Sequence, residues 1–177
     1  MLRIAKVRDV KTPNRGTRVS AGIDFFVPEF CNEFIQGLTK KNPGINIVQN
    51  DGESVILLYP HERVLIPSGI HVDFTYLRGR LAEGWGYRLT NENKSGVSTK
   101  QGLDVLACVI DQDYQGECHI SLVNTSAEYQ YIKFGQKIVQ AILEPVYLAQ
   151  VHEVEFKELY QEESERGDKG FGSTGQA

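Results

Sequence analysis

Excess positive charge, paired cysteines and long apolar runs are all missing from this 177-residue sequence. Its 19 Lys and Arg stand against 23 Asp and Glu, so it lacks the basic surplus that binds nucleic acid through bulk potential. Cys31, Cys108 and Cys118 are odd in number and show no CxxC or Cys/His spacing. Neither a disulfide framework nor a zinc site is indicated, and a reducing cytoplasm is the expected setting. No run of about 18 apolar residues suits a membrane span, and Leu2-Arg3-Ile4-Ala5-Lys6-Val7 is too mixed for a secretory leader. The chain is therefore expected to meet neither membrane nor nucleic acid.

The charge that is present is unevenly placed. Residues 153–165 hold six Glu and one Lys, which leaves the other 164 residues at +1 of the net −4. Any phosphate must be held by local cations. Seventeen glycines are more than usual, and four of them, Gly167, Gly170, Gly172 and Gly175, fall in the last eleven residues. The 41% hydrophobic content fills one domain of ordinary size.

Most of that domain is expected to be short β segments cut by Gly, Pro, Asn and Asp. They cover residues 3–7, 22–27, 45–49, 54–59, 63–67, 69–74, 85–89, 103–110, 118–124, 129–133 and 137–147. Several alternate apolar with polar, as in His119-Ile120-Ser121-Leu122-Val123, which suits a half-buried strand of a sandwich, jelly roll or barrel. One helix stands out, with Pro28 at a first-turn position, an apolar face of Phe30, Phe34, Ile35 and Leu38, Lys40-Lys41 at the end, and Asn42-Pro43-Gly44 as the stop. Asn50-Asp51-Gly52-Glu53 then marks a tight hairpin turn.

Three segments carry chemistry. Val109-Ile110-Asp111-Gln112-Asp113-Tyr114-Gln115-Gly116-Glu117 reads as a strand ending in a hairpin tip, where a carboxylate can hold a water beside an aromatic pocket for a flat ligand. Asn93-Lys94-Ser95-Gly96-Val97-Ser98 reads as a turn whose backbone N–H groups and cation can approach a phosphate. Arg166-Gly167-Asp168-Lys169-Gly170-Phe171-Gly172-Ser173-Thr174-Gly175 sets a Phe among glycines, between cations and hydroxyls. Arg takes a phosphate bidentately and Phe lies over a ring, although the GxxxxGK[ST] spacing of a P-loop is absent.

Taken in order, five stretches resemble the five motifs of the trimeric dUTP diphosphatases, or dUTPases. They are Ala21-Gly22-Ile23-Asp24-Phe25, Lys94-Ser95-Gly96-Val97-Ser98, Val109 through Glu117, Gly135-Gln136-Lys137-Ile138-Val139-Gln140, and Arg166 through Gly175. The resemblance implies an all-β, jelly-roll-like domain over 1–160 with an inserted helix and hairpin at about 29–59, and a flexible C-terminal lid arm over 161–177. It also implies a homotrimer with shared active sites that hydrolyses dUTP to dUMP and pyrophosphate, limiting uracil in DNA and supplying dUMP for dTMP synthesis.

Carried over by position, Asp111 is the general base for in-line water attack on the α-phosphorus, and Tyr114 packs on the deoxyribose. Val109, Ile110 and His119 frame uracil. Lys94, Ser95, Gly96 and Gln140 contact phosphate, and Asp24 lies near a hydrated Mg²⁺ held mainly by the phosphates. From a neighbouring chain, Arg166 reaches the γ-phosphate, Phe171 covers uracil with Gly172 beside it, and Ser173 and Thr174 close on the phosphates.

Three positions depart from the family pattern: Lys94 for Arg, Cys108 for Gly and Lys169 for Gly. The inserted segment fits a viral or phage-type member, for which the compartment is the host cytoplasm, and it is a candidate surface for another protein. Two alternatives stay open at this point, a dCTP deaminase-like enzyme of the same fold and a nucleotide-switched protein-binding module.

Overall fold

The computed structural model describes residues 2–77 and 79–168. Twelve strands are distributed over them: β1 Arg3–Lys6, β2 Ile23–Phe26, β3 Asn46–Asn50, β4 Glu53–Leu58, β5 Arg63–Pro67, β6 Ile70–Asp73, β7 Trp85–Asn93, β8 Leu103–Val105, β9 Val109–Asp111, β10 His119–Asn124, β11 Gln130–Lys133 and β12 Lys137–Tyr147. Accompanying them among the described residues are α1 Asn32–Lys41, α2 Ser95–Gln101 and α3 Phe156–Leu159. The strands form antiparallel sheets ordered β1-β6, β5-β10-β8, β11-β4-β3 and β2-β12-β7-β9. This is the all-β, jelly-roll-like architecture expected from the sequence.

The sheets share one core. Phe25 and Phe26 of β2, Ile56 and Leu58 of β4, Ile66 of β5, Ile70 of β6, Leu89 of β7 and Ile120 of β10 are all fully buried in it. The alternation along β10 is strict, with Ile120, Leu122 and Asn124 buried and His119, Ser121 and Val123 half-exposed, as period-2 side-chain placement requires.

The inserted segment is part of this core. Phe34 and Leu38 of α1 are fully buried in the same cluster, and burial of each side chain is worth about 2 kcal/mol. The Asn42 side chain fastens the helix end to β5, donating to the Leu65 carbonyl at 2.9 Å and accepting the Leu65 N–H at 2.7 Å. The expected turn closes the hairpin: Asn50 pairs with Glu53, and Asp51 and Gly52 take φ of 52° and 81°, the left-handed pair that a two-residue type I′ turn demands.

Three expectations need correction. The helix starts at Asn32 with Cys31 as its extended N-cap, so Pro28 lies before it and not in its first turn. The Glu29 N–H is spent on the Asp9 carbonyl at 2.9 Å, and that tertiary pairing keeps residues 28–30 out of the helix. Lys94–Ser98 is not a turn but the N-cap and first residues of α2, which ends at Gly102 with φ 65°. The strand expected over 103–110 is divided: β8 pairs with β10, while β9 pairs with β7. The Asp111 to Glu117 segment is therefore not a hairpin tip but a connection that carries the chain from one sheet to another.

Candidate active site

Two clusters are built from the expected residues, and they lie apart. The first gathers the Gly22–Asp24 segment at the start of β2, the Lys94–Gly96 segment where β7 gives way to α2, and the Lys137–Gln140 segment of β12, which pairs with both strands. Gln140 stands in register with Asp24 of β2 on one side and Glu92 of β7 on the other. Its Nε2 donates to the Asn93 carbonyl at 2.9 Å, and a Cβ on Gly22 would collide with its Oε1. Only glycine lets β2 approach so closely.

Asp24, 4% exposed, is the charged centre of this cluster. Its Oδ1 accepts from Lys94 Nζ at 2.5 Å and its Oδ2 lies 2.9 Å from Lys137 Nζ. Burial alone would push the Asp24 carboxyl up; hydrogen bonds and attraction from Lys94, then Lys137, outweigh it and hold the group below its ordinary range. Asn93 holds the neighbouring β8, accepting the Val105 N–H at 3.0 Å and donating to Asp104. Ser95 and Gly96 sit at the start of α2, directly after Lys94. Lys137 was not singled out from sequence, although it lies inside the Gly135–Gln140 stretch; its partner across the sheet was needed to mark it.

The second cluster surrounds Asp111 at the end of β9. The segment that follows is pinned at several points. Gln112 accepts the Tyr87 N–H at 3.3 Å and donates to the Phe74 carbonyl at 3.2 Å. His71 Nδ1 lies 2.9 Å from the Gln115 carbonyl. The Tyr114 hydroxyl donates to the Glu117 carbonyl at 3.1 Å, and its ring lies so close over Gly116 that a Cβ there would collide with it. Tyr114 is 45% exposed and Val109 55% exposed, while Ile110 is buried, so the three do not share one surface.

Glu117 anchors the end of this segment. Its carboxylate accepts from Arg8 Nε at 3.0 Å, Arg8 Nη2 at 3.2 Å and the Gly69 N–H at 2.7 Å. Burial would raise Glu117; the Arg8 hydrogen bonds first, then the Gly69 amide, hold it below the ordinary glutamate value of 4.5. Both side chains are about 15% exposed, so Arg8→Ala leaves a largely buried carboxylate without its counter-charge, with the Gly69 N–H as its remaining partner. A loss of about 3 kcal/mol in urea unfolding at pH 7 is expected. A carboxylate held low stabilises the fold above its unfolded value, and the contribution is lost as pH falls through the folded value. The acid-unfolding midpoint of Arg8→Ala is therefore expected to move to higher pH.

His119 is half-buried beside this anchor. Burial, then the charge of Lys41, pushes its ring below the ordinary imidazole value. Its Nδ1 lies 2.8 Å from the Glu117 carbonyl, which can only accept, so Nδ1 carries the proton and the buried Nε2 is an acceptor without a partner. Cys118, buried next to it, has its thiol pushed up to about 12, chiefly by burial, and is no nucleophile at neutral pH.

One chain does not join the two clusters. Asp111 pairs with Arg88, whereas Lys94 follows the far end of β7; six residue steps along the chain separate Arg88 from Lys94, about 20 Å. That exceeds the reach of a triphosphate. Arg166 lies in the exposed C-terminal segment, and Phe171, Gly172, Ser173 and Thr174 lie outside the described residues, as does Lys169. Among the described residues no three His, Cys, Asp or Glu groups come together to hold a metal ion.

Comparison with known proteins adds to this geometry. The dUTPase family model matches residues 92–175. A deoxyuridine 5'-triphosphate nucleotidohydrolase of Finegoldia magna is 38% identical over 126 residues, 70% of this chain and 78% of that protein. One from Paramecium bursaria Chlorella virus 1 is 34% identical over 169 residues, 96% of this chain and 93% of that protein. Among solved structures, the dUTPase of Staphylococcus bacteriophage 80alpha with dUpNHpp superposes at a TM-score of 0.68, with 22% identity and 99% of each chain covered. A mutant dUTPase of phage phi11 of S. aureus, whose structure reveals the coordination of a structural Mg(II) ion, superposes at 0.60 with 20% identity, covering 89% of this chain and 99% of that one.

Proposed function

The chain belongs to the dUTPase family and hydrolyses dUTP to dUMP and pyrophosphate, and from that premise we propose that each active site combines the Asp111 cluster of one copy with the Asp24–Lys94–Lys137 cluster of another in a homotrimer. The observation that carries this reading is the separation of about 20 Å along β7 between Asp111 and Lys94. A single chain offers a base without a phosphate cradle at one end and a cradle without a base at the other.

In this reading uracil enters beside Val109, Ile110 and His119, and the ring of Tyr114 packs on the deoxyribose. Lys94, Ser95, Gly96 and Gln140 of the second copy receive the phosphates, with Lys137 as a further cation. The Asp111 carboxylate takes a proton from water as the water oxygen bonds to the α-phosphorus; the bond from that phosphorus to the β-phosphate oxygen breaks, and pyrophosphate leaves. Arg166 and the tail residues Phe171, Gly172, Ser173 and Thr174 close over the substrate, an arm contributed in trans and closing as a lid.

Magnesium fits as an ion carried by the triphosphate. Among the described residues Asp24 is the one carboxylate buried in the cradle, and both of its oxygens already accept from lysines. It retains lone pairs for waters around an ion, but not a cage. Bound there, Mg²⁺ neutralises phosphate charge. The deaminase and binding-module alternatives are not favoured, because the relatives that match over most of their length are dUTP nucleotidohydrolases.

The test is pyrophosphate release from each of the common deoxynucleoside triphosphates, with Mg²⁺ and with chelator. Release from dUTP alone, suppressed by chelation, is the expected result. Comparable release from all of them, or ammonia from dCTP, would overturn the reading.

A further inference from the structure

Three charged side chains form one row across three strands. Arg88 of β7 stands opposite Asp111 of β9 on one side and Glu144 of β12 on the other, and directly opposed residues of an antiparallel sheet project from the same face. The Asn91 N–H donates to the Cys108 carbonyl at 2.7 Å. Alternation along the ladder from that bonded pair makes Arg88 and Asp111 a non-bonded pair, the kind whose side chains come closest.

The structure nevertheless pairs Arg88 with Glu144. Its Nε donates to Glu144 Oε2 at 3.2 Å, and Thr90, 5% exposed, donates its hydroxyl to the same oxygen at 3.1 Å. Among the described residues Arg88 makes no hydrogen bond through either Nη and no ion pair with Asp111. An ion pair this open, with side chains 43% and 39% exposed, contributes little to stability. It fixes the guanidinium at Nε and leaves the Nη donors unspent on the face that carries Asp111.

What Asp111 holds gives that arrangement its use. A water on its carboxylate lies about 3 Å away and the α-phosphorus under attack about 3 Å further, so the reacting phosphoryl group comes within about 6 Å of the carboxylate. The Cα atoms of a non-bonded pair are about 4.5 Å apart. A long arginine side chain on the opposing strand therefore reaches the same centre.

We infer that Arg88 is a further catalytic residue, its Nη atoms binding the non-bridging oxygens of the α-phosphoryl group, with Glu144 and Thr90 as its positioning residues. Lys94 and Lys137 belong to the phosphate cradle of the other copy, so Arg88 is the cation that the copy bearing Asp111 brings to the reacting phosphorus. As the water oxygen bonds to that phosphorus, its proton passes to Asp111 and the bond to the β-phosphate oxygen breaks, its electron pair leaving on pyrophosphate. The non-bridging oxygens carry transition-state charge that a guanidinium fork complements. The inference rests on Asp111 as the base and goes beyond it in naming the cation that works beside it.

Arg88→Ala is expected to lower kcat for dUTP about a hundredfold, with KM changed by no more than a few-fold and the trimer intact by light scattering. Guanidinium chloride at about 50 mM, far below denaturing concentrations, is expected to raise the variant's rate about fivefold or more while leaving the parent and Asp111→Asn unchanged. A residue needed only for the fold does not respond in this way. Full turnover in Arg88→Ala, a loss that guanidinium does not relieve, or a folded variant that no longer forms trimers overturns the inference. Should Arg88→Ala fail to fold, Arg88→Lys, which keeps the charge without the fork, is expected to lose about tenfold in kcat, and an unchanged kcat there counts against the inference equally. Near-wild-type turnover in Asp111→Asn, measured alongside, shows instead that the assignment of the base has failed.

Discussion

Asp111→Asn is expected to lower kcat for dUTP by roughly 10²–10⁴, the contribution of a positioned general base, while KM changes by no more than a few-fold. The substitution keeps size and shape and removes only the capacity to accept a proton. Its fold effect is expected to be small, because the Asp111 side chain is exposed and makes no hydrogen bond or ion pair among the described residues. The backbone there is secured by its pairing with Arg88 and by Tyr114, whose N–H donates to the Asp111 carbonyl at 3.2 Å. Asp113, two residues on in the same connection, is the internal control: Asp113→Asn should retain most turnover. Steady-state pyrophosphate release, with calorimetric binding of a non-hydrolysable dUTP analogue, separates the two effects. Near-wild-type turnover in Asp111→Asn removes it as the base.

The parts of the fold and the site that are legible in the sequence are those with local causes. Asp51-Gly52 between two apolar runs specified a turn that needs left-handed backbone twice. The alternation in β10 declared its buried face. Gly22 and Gly116 belonged to recognisable stretches, although their reason, contact with Gln140 and with Tyr114, is visible only in three dimensions.

What was not legible has non-local causes. α2 buries no side chain, so it has no apolar stripe for periodicity to reveal. The partition of 103–111 between β10 and β7 depends on which neighbour captures Cys108, and Asn91, seventeen positions away, decides it. Arg8 is remote in sequence from Glu117, and no local pattern links a cation near the N-terminus to a carboxylate at the end of the Asp111–Glu117 connection. Pro28 looked like a helix start because its fixed φ suits one, but the Asp9 carbonyl claimed the neighbouring Glu29 N–H.

The distance between the two clusters leads to the strongest test of how the site is assembled. Asp111→Asn and Lys94→Ala are each expected to be nearly inactive alone, the first without a base and the second without a cation for phosphate. If both residues of a working site came from one chain, any mixture of the two variants would stay inactive, since every chain lacks one of them. If Asp111 comes from one copy and Lys94 from its neighbour, mixing unfolded variants in equal amounts and refolding them together restores intact sites. About three quarters of randomly assembled trimers contain both variants, and about one site in three within each is intact, so roughly a quarter of wild-type activity should return. Light scattering on each variant and on the mixture establishes that the trimer forms in all three cases. Trimers without recovered activity would sink the shared site while leaving the enzyme's reaction untouched, whereas recovery near a quarter is hard to obtain from any arrangement confined to one chain.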